Sequence, residues 1–328
     1  MSIEKKAIKL SKKLTQVDKN LEKIIKEIAV TKETSSSFWI KINVAIRREY
    51  EKARKISATW TNSNIPETYA ESLNEALQKI KAKKIEGVRK INYIDFISSD
   101  PSKQSMASLL AETNSTFATG FSSGQKTLIR LSRLTQQLNV SEKQLEKNIA
   151  EGFIEKGTIR GATKKIQESL LKKSLDGKII TVIDKNGVAE QWNIKKYSEL
   201  VARTKLQETT TQAVVNSAQA VGGDLVQVST HNTLTAYDAQ FEGKIFSLSG
   251  SDPDFPPAID LPPFHPNCLH TITVTFKQAL KRDGTLKKYE EFSKGNTSVH
   301  PFKKNFVPLS ERNLTPMSKA QKKILKVS

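Results

Sequence analysis

Six of the chain's eleven prolines fall between residues 253 and 266, at positions 253, 256, 257, 262, 263 and 266. Each fixes its own φ, removes a backbone N–H and pushes the preceding residue out of the helical region. Neither a helix nor a central strand can run through such a segment, so it reads as a stiff, extended strap. The strap and the residues after it also hold two of the four histidines, His265 and His270, and the single cysteine, Cys268. A strap of fixed geometry delivers those three side chains to one chosen place.

The chain before the strap has a helical texture. Apolar residues at Ile3, Ala7, Leu10, Leu14, Val17, Leu21, Ile24 and Ile28 are spaced alternately four and three apart. That is the a/d seam of a heptad repeat, and its strict period favours a left-handed supercoil. Two arrangements satisfy it: a coiled coil joining copies of the chain, or one long helix packed along its own domain, with Ile25 and Ala29 widening the stripe. A second helix is expected from residues 35–37 onward, with Phe38, Ile42, Ala45, Ile46, Ala53 and Ile56 on one face. Residues 62–66, ending in Pro66, read as a break. Tyr69, Leu73, Ala76, Leu77 and Ile80 mark the next helix, and a longer one follows Pro101, with Gly120 and Gly124 as candidate breaks. Ser141 to Gln144 has the form of a capping box opening a further helix toward Gly157, and another is expected over 158–173.

At Asp176 the texture changes. Residues 178–183 and 188–194 read as strands joined by a turn at Asp184 to Gly187. A helix over about 198–218 follows, then strands over 224–229, 243–248 and 270–276. The fold class is therefore α+β: a mainly helical first half, a small α+β module stiffened by the strap, and a basic C-terminal arm. The expected divisions are 1–95, 96–175, 176–280 and 281–328.

Charge narrows the function classes. Lys and Arg number 53 against 34 Asp and Glu, a net charge of +19, and residues 281–328 alone hold twelve basic and four acidic residues. Such a balance draws a protein to polyanions without specifying any base sequence. Lys281, Arg282, Lys287, Lys288, Lys303, Lys304, Lys322 and Lys323 are the arm residues expected to meet duplex DNA phosphates or an acidic partner surface. One cysteine excludes an internal disulfide framework and suits a reducing compartment. Residues 1–13 lack the apolar core of a secretory signal, and no apolar run approaches the roughly 18 residues of a membrane span. The expectation is a soluble protein made in the cytoplasm, with no membrane partner.

His265, Cys268 and His270 are zinc-ligand types, and a structural zinc site takes four. His231 or Asp238, upstream in the same module, are the candidates for the fourth. The alternative is a purely structural cluster, with His265 against proline and Cys268 as a small buried hydrophobe, so no cofactor is expected unless zinc is held here. A nucleophilic Cys268 would need a base within reach and a group to orient that base. His270, two residues on, would face the same way if both lie on an extended strand. No separate oxyanion feature is evident, nor any paired-carboxylate or His-Glu-x-x-His pattern, so no enzymatic activity is expected.

Over residues 178–276 the ordered set of these pieces resembles the minor head, or head-morphogenesis, proteins of tailed bacteriophages, the phage minor capsid type. The pieces are the hairpin with Asp184 to Gly187 and Trp192, then Tyr197 and the run Val201 to Thr204, then Asp224 to Ser229 with His231. Phe241 to Ser247 and Pro262 to His270 complete it. Relatives often carry a Cys-x-x-Cys pair where this chain has Thr235 and Asp238, and an arginine where it has Leu269. If that pair serves zinc in relatives, two ligands are replaced here, with Asp238 and His231 able to stand in part for them. The resemblance implies a low-copy structural protein of the virion, in the capsid interior or at the portal vertex, supporting head assembly and DNA packaging or ejection. Its implied partners are the portal protein, the major capsid protein and double-stranded DNA bound without sequence preference. Self-association through the N-terminal seam would fit such a role.

Overall fold

The computed structural model describes residues 2–150, 167–168, 171–172, 174, 179–183, 189–294 and 306–317. The expected 158–173 helix lies almost entirely, and the 184–187 turn wholly, outside the described residues. The chain divides into two units, each made of separated segments: residues 1–61 with 113–202, and residues 62–112 with 203–328. The boundaries at 61, 112 and 202 all fall inside helices.

In the first unit the heptad seam is two helices rather than one, α1 (Ile3–Lys13) and α2 (Thr15–Val30). The interruption is a local tightening at Leu14, which keeps right-handed helical angles while its N–H is shared by the carbonyls of Leu10 and Ser11. Leu10, Leu14, Val17, Leu21, Ile24 and Ile28 are all buried within the chain itself, and Ile3 is half-buried. The helix packed along its own domain is therefore the arrangement seen.

The expected break at residues 62–66 is absent. Helix α3 spans Ser36–Ala82 with Pro66 inside it. An interior proline costs a helix about 3 kcal/mol. Here the fully buried Trp60 and Ile65 before it and Tyr69 and Leu73 after it hold the helical path on both sides, so burial overrides the local preference. After a short α4 (Tyr93–Ile97), capped by the Asn92 side chain, α5 runs unbroken over Asp100–Ala150. Its start at Asp100 with Pro101 in the first turn matches expectation, but Gly120, Gly124 and Ser141 do not interrupt it. The glycines are notches. A Cβ on Gly120 would lie 2.2 Å from Tyr197 Cζ, and one on Gly124 would lie 2.3 Å from Tyr50 Oη. Near Ser141 the helix is pinned by Asn139, whose side-chain amide donates to the carbonyls of Thr31 and Glu33, each at 3.0 Å. Among the described residues this unit also holds a hairpin of β1 (Ile180–Ile183) and β2 (Ala189–Trp192), and α6 (Ile194–Ala220) begins in it.

The second unit is built on three antiparallel strands. β3 (Leu225–Val228) lies between β4 (Ile245–Ser247) and β5 (Ile272–Thr275), with Val226 opposite both Phe246 and Val274. Strand alternation sends neighbouring side chains to opposite faces. Val226 and Val228 join Val214, Ala218, Phe241, Phe264 and Val274 in the larger core. Leu225 turns the other way, onto Ile245, Phe255, Leu280 and Tyr289.

That second cluster corrects the picture of an irregular arm. Residues 281–294 fold into the end of α8 (Lys277–Arg282) and α9 (Thr285–Ser293), after the very short α7 (Ala236–Ala239) earlier in the chain. Tyr289 Oη accepts the Ile245 N–H at 2.9 Å, fastening α9 to the sheet. Residues 306–317 also dock, because the backbone of Thr315 bonds to that of Leu234 and Ala236.

The strap is non-helical throughout, with a cis peptide at Pro262–Pro263. It is tied to β4 where Ser247 donates to the Pro256 carbonyl and Ala258 donates back to Ser247. Among the described residues, no helix is long and apolar enough to cross a membrane.

Candidate metal centre

Three neighbouring elements of the second unit converge on one point. The turn of α7 places Asp238, fully buried, beneath the strap. The strap brings His265, then reverses at Asn267, whose φ of +64° lies in the left-handed region that asparagine tolerates better than most residues. The reversal lets the Cys268 N–H donate to the His265 carbonyl at 3.1 Å, turning both side chains to the same side. His270 follows just before β5, its carbonyl held at 2.7 Å by the Gln207 side chain of α6.

One ligand atom each from Asp238, His265 and Cys268 lies within 4.8 Å of the others. His270 adjoins them, with Nδ1 3.4 Å from Cys268 Sγ and 3.9 Å from Asp238 Oδ2. His265 Nε2 stands 2.6 Å from Asp238 Oδ2, yet neither carboxylate oxygen has an aligned hydrogen-bond donor. The contact has the distance of an ion pair without the direction of a hydrogen bond. Asp238 is thus a buried carboxylate facing other ligand-type atoms.

Behind His270 lies a second layer that no sequence pattern announces. Its Nε2 is 3.0 Å from Oε1 of Glu242, which also accepts the backbone N–H groups of His231 and Thr233. Glu242 Oε2 in turn receives Arg312 Nη1 at 2.5 Å, both side chains being almost wholly buried. Arg312 comes from the docked C-terminal segment, seventy residues away. Glu242 sits in the stretch Phe241 to Ser247 and its position after Asp238 was readable, but nothing local marks Arg312 as its partner.

The electrostatics follow from this layering. Burial by itself would raise Glu242, but hydrogen bonds from His270, Arg312 and two backbone amides hold its carboxyl down at about 2. Burial would lower His270, and its bonds to Cys268 and Glu242 overcome that and lift it to about 9. Cys268 resists burial in the same way and is drawn below its ordinary range chiefly by His270. His265 is raised, mostly by Asp238.

The remaining expected site residues fall elsewhere. His231 is exposed, its Nε2 2.9 Å from Ser229 Oγ and its ring edge-on to His270 at 5.0 Å, so it flanks the cluster. Thr235, where relatives often carry a cysteine, immediately precedes α7. Lys281, Arg282, Lys287 and Lys288 are exposed on α8 and α9, while Lys303, Lys304, Lys322 and Lys323 lie outside the described residues.

Two chemistries suit the cluster. One is metal ligation by mixed O, N and S donors. The other is a thiol, an imidazole and an orienting carboxylate in the order Cys268, His270, Glu242, the geometry of an activated nucleophile. Cys268 and His270 are both buried.

A protein family described as phage minor capsid protein 2 matches residues 21–291. No curated protein and no solved structure gives a significant match.

Proposed function

The chain belongs to the phage minor capsid protein 2 family, a structural component of a phage particle, and we propose that it works in the capsid interior or at the portal vertex, in contact with packaged DNA. The observation that carries the DNA contact is the position of the basic residues on α8 and α9. Lys281, Lys287 and Lys288 are exposed on two short helices that are themselves anchored through Leu280 and Tyr289 to the core. A cation on an anchored helix loses less freedom on meeting a phosphate than one on a loose chain. With a net charge of +19, the whole molecule favours a polyanion. Portal and major capsid proteins are the protein partners proposed, with assembly and DNA packaging or ejection as the process served.

The test uses charge substitutions, because removing residues 281–328 would also remove Leu280's neighbour Tyr289 and the buried Arg312. Lys281→Gln, Lys287→Gln and Lys288→Gln combined should flatten the slope of log affinity against log salt by about 2–3, roughly 0.9 for each phosphate no longer neutralised. Preference among duplex sequences should not change. A slope identical to wild type would remove α8 and α9 from DNA contact, and failure of the protein to cosediment with heads would remove the particle role.

A further inference from the structure

We propose that Asp238, His265, Cys268 and His270 form a closed structural site for one zinc-class divalent ion. The site is independent of the capsid role and concerns how the second unit is held together.

Three of the donors, on Asp238, His265 and Cys268, lie within 4.8 Å of one another, and His270 adjoins two of them and would close in on ligation. Metal–ligand bonds of about 2.0–2.3 Å at tetrahedral angles place donors roughly 3.3–3.8 Å apart. The separations of 3.4 Å between His270 Nδ1 and Cys268 Sγ, and 3.9 Å between His270 Nδ1 and Asp238 Oδ2, are near that range. The 2.6 Å contact of His265 with Asp238 is shorter and would open on ligation. One oxygen, two imidazole nitrogens and one thiolate make a set that zinc accepts and that magnesium or calcium, which prefer oxygen, do not.

Both histidines are also oriented from behind. His265 Nδ1 lies 2.7 Å from the Pro266 carbonyl, an acceptor only, so that nitrogen carries the proton. His270 Nε2 lies 3.0 Å from the Glu242 carboxylate, itself clamped by Arg312. Each ring therefore has a nitrogen able to present its lone pair inward, the arrangement in which an outer carboxylate or carbonyl fixes the tautomer of a metal-bound histidine. Neither oxygen of the buried Asp238 carboxylate has an aligned donor. A carboxylate buried without a donor is costly. A cation among the four atoms removes that cost.

All four donors come from the protein, which leaves no open position for a substrate or an activated water. The ion would act as a clip. It would join α7 to the strap and the strap to the entry of β5, fixing residues 238 and 270 to each other across the intervening β4 and strap.

The test takes the full chain, purified without a histidine tag and stripped with chelator, and titrates it with cobalt(II). A thiolate-to-cobalt charge-transfer band should grow to one ion per chain and disappear when zinc is added. Cys268→Ser should abolish the band, Asp238→Asn should weaken cobalt binding at least about tenfold, and His231→Ala should leave both unchanged. Zinc should raise the melting temperature of the stripped wild-type chain. No band from wild type under excess cobalt would overturn the proposal without recourse to any variant. So would a band that survives in Cys268→Ser.

Discussion

Gly120→Ala puts two opposing effects against each other at one atom. Alanine in place of glycine inside a helix is worth about 1 kcal/mol in intrinsic propensity, which favours the variant. The new methyl, however, would sit 2.2 Å from Tyr197 Cζ and 2.3 Å from its Oη. The ring has to leave. Departure breaks the bond from Tyr197 Oη to the Thr116 carbonyl, 2.6 Å long, in a buried setting where losing it costs about 1–2 kcal/mol. It also gives up the edge-to-face packing on Phe121 at 6.1 Å, worth about 1 kcal/mol. Repacking strain adds about 1 kcal/mol more. The balance is a net loss of about 2–3 kcal/mol. All three tryptophans, Trp39, Trp60 and Trp192, belong to the first unit, so urea denaturation followed by tryptophan fluorescence reports on the unit concerned. The decisive comparison is with Tyr197→Leu as background. Leucine lacks the atoms that collide, so there Gly120→Ala should stabilise by up to about 1 kcal/mol. Stabilisation in the presence of Tyr197, or no change of sign between the two backgrounds, would refute the notch.

Leu14→Asp with Leu21→Asp places two charges in the buried seam and should cost more than about 4 kcal/mol, seen as loss of the fluorescence transition. A folded double variant that has merely dissociated from an oligomer would instead make the seam an interface between chains. Arg312→Ala strips the buried Glu242 of its cation and should destabilise the second unit by about 3 kcal/mol, with protease reaching the segment around residues 306–317. Undiminished protection of that segment would show that Arg312 does not hold it. Tyr289→Phe leaves the Ile245 N–H without its acceptor and should lower stability by about 1–2 kcal/mol in a thermal melt, whereas a loosely attached arm would register no change.

The elements most legible in the sequence were those whose local chemistry and burial agree. β3 is a short run mainly of β-branched and apolar residues, β5 sits in a stretch that alternates, the strap excludes helix by its prolines, and α6 carries a long series of apolar positions. Local signals failed where packing outweighed them. Pro66 and Gly120 are helix breakers by intrinsic preference, but one is spanned by buried aromatic anchors and the other makes room for a ring. The capping box at Ser141 is a true local pattern that a longer helix runs through. At the site, Asp238, His265, Cys268 and His270 were each nameable from residue type. Their grouping depends on the turn at Asn267 and on a short helix that no periodicity marks. Glu242 and Arg312 meet only in the folded chain. The second of them lies in a stretch whose basic composition argues for solvent or phosphate rather than for burial.

The interleaving of the two units sets an order on synthesis. The first unit has its whole sequence once residue 202 has left the ribosome, but the second opens at residue 62 and still lacks Arg312 until almost the last of the chain appears. Ala76 and Ile80, which end up against Val214, Ala218 and Val274, must therefore wait through well over a hundred residues of translation for their neighbours. At roughly 5–20 residues per second that is a delay of many seconds with an apolar helix face uncovered. Removal of the segment that carries Arg312 should strand the second unit while sparing the first.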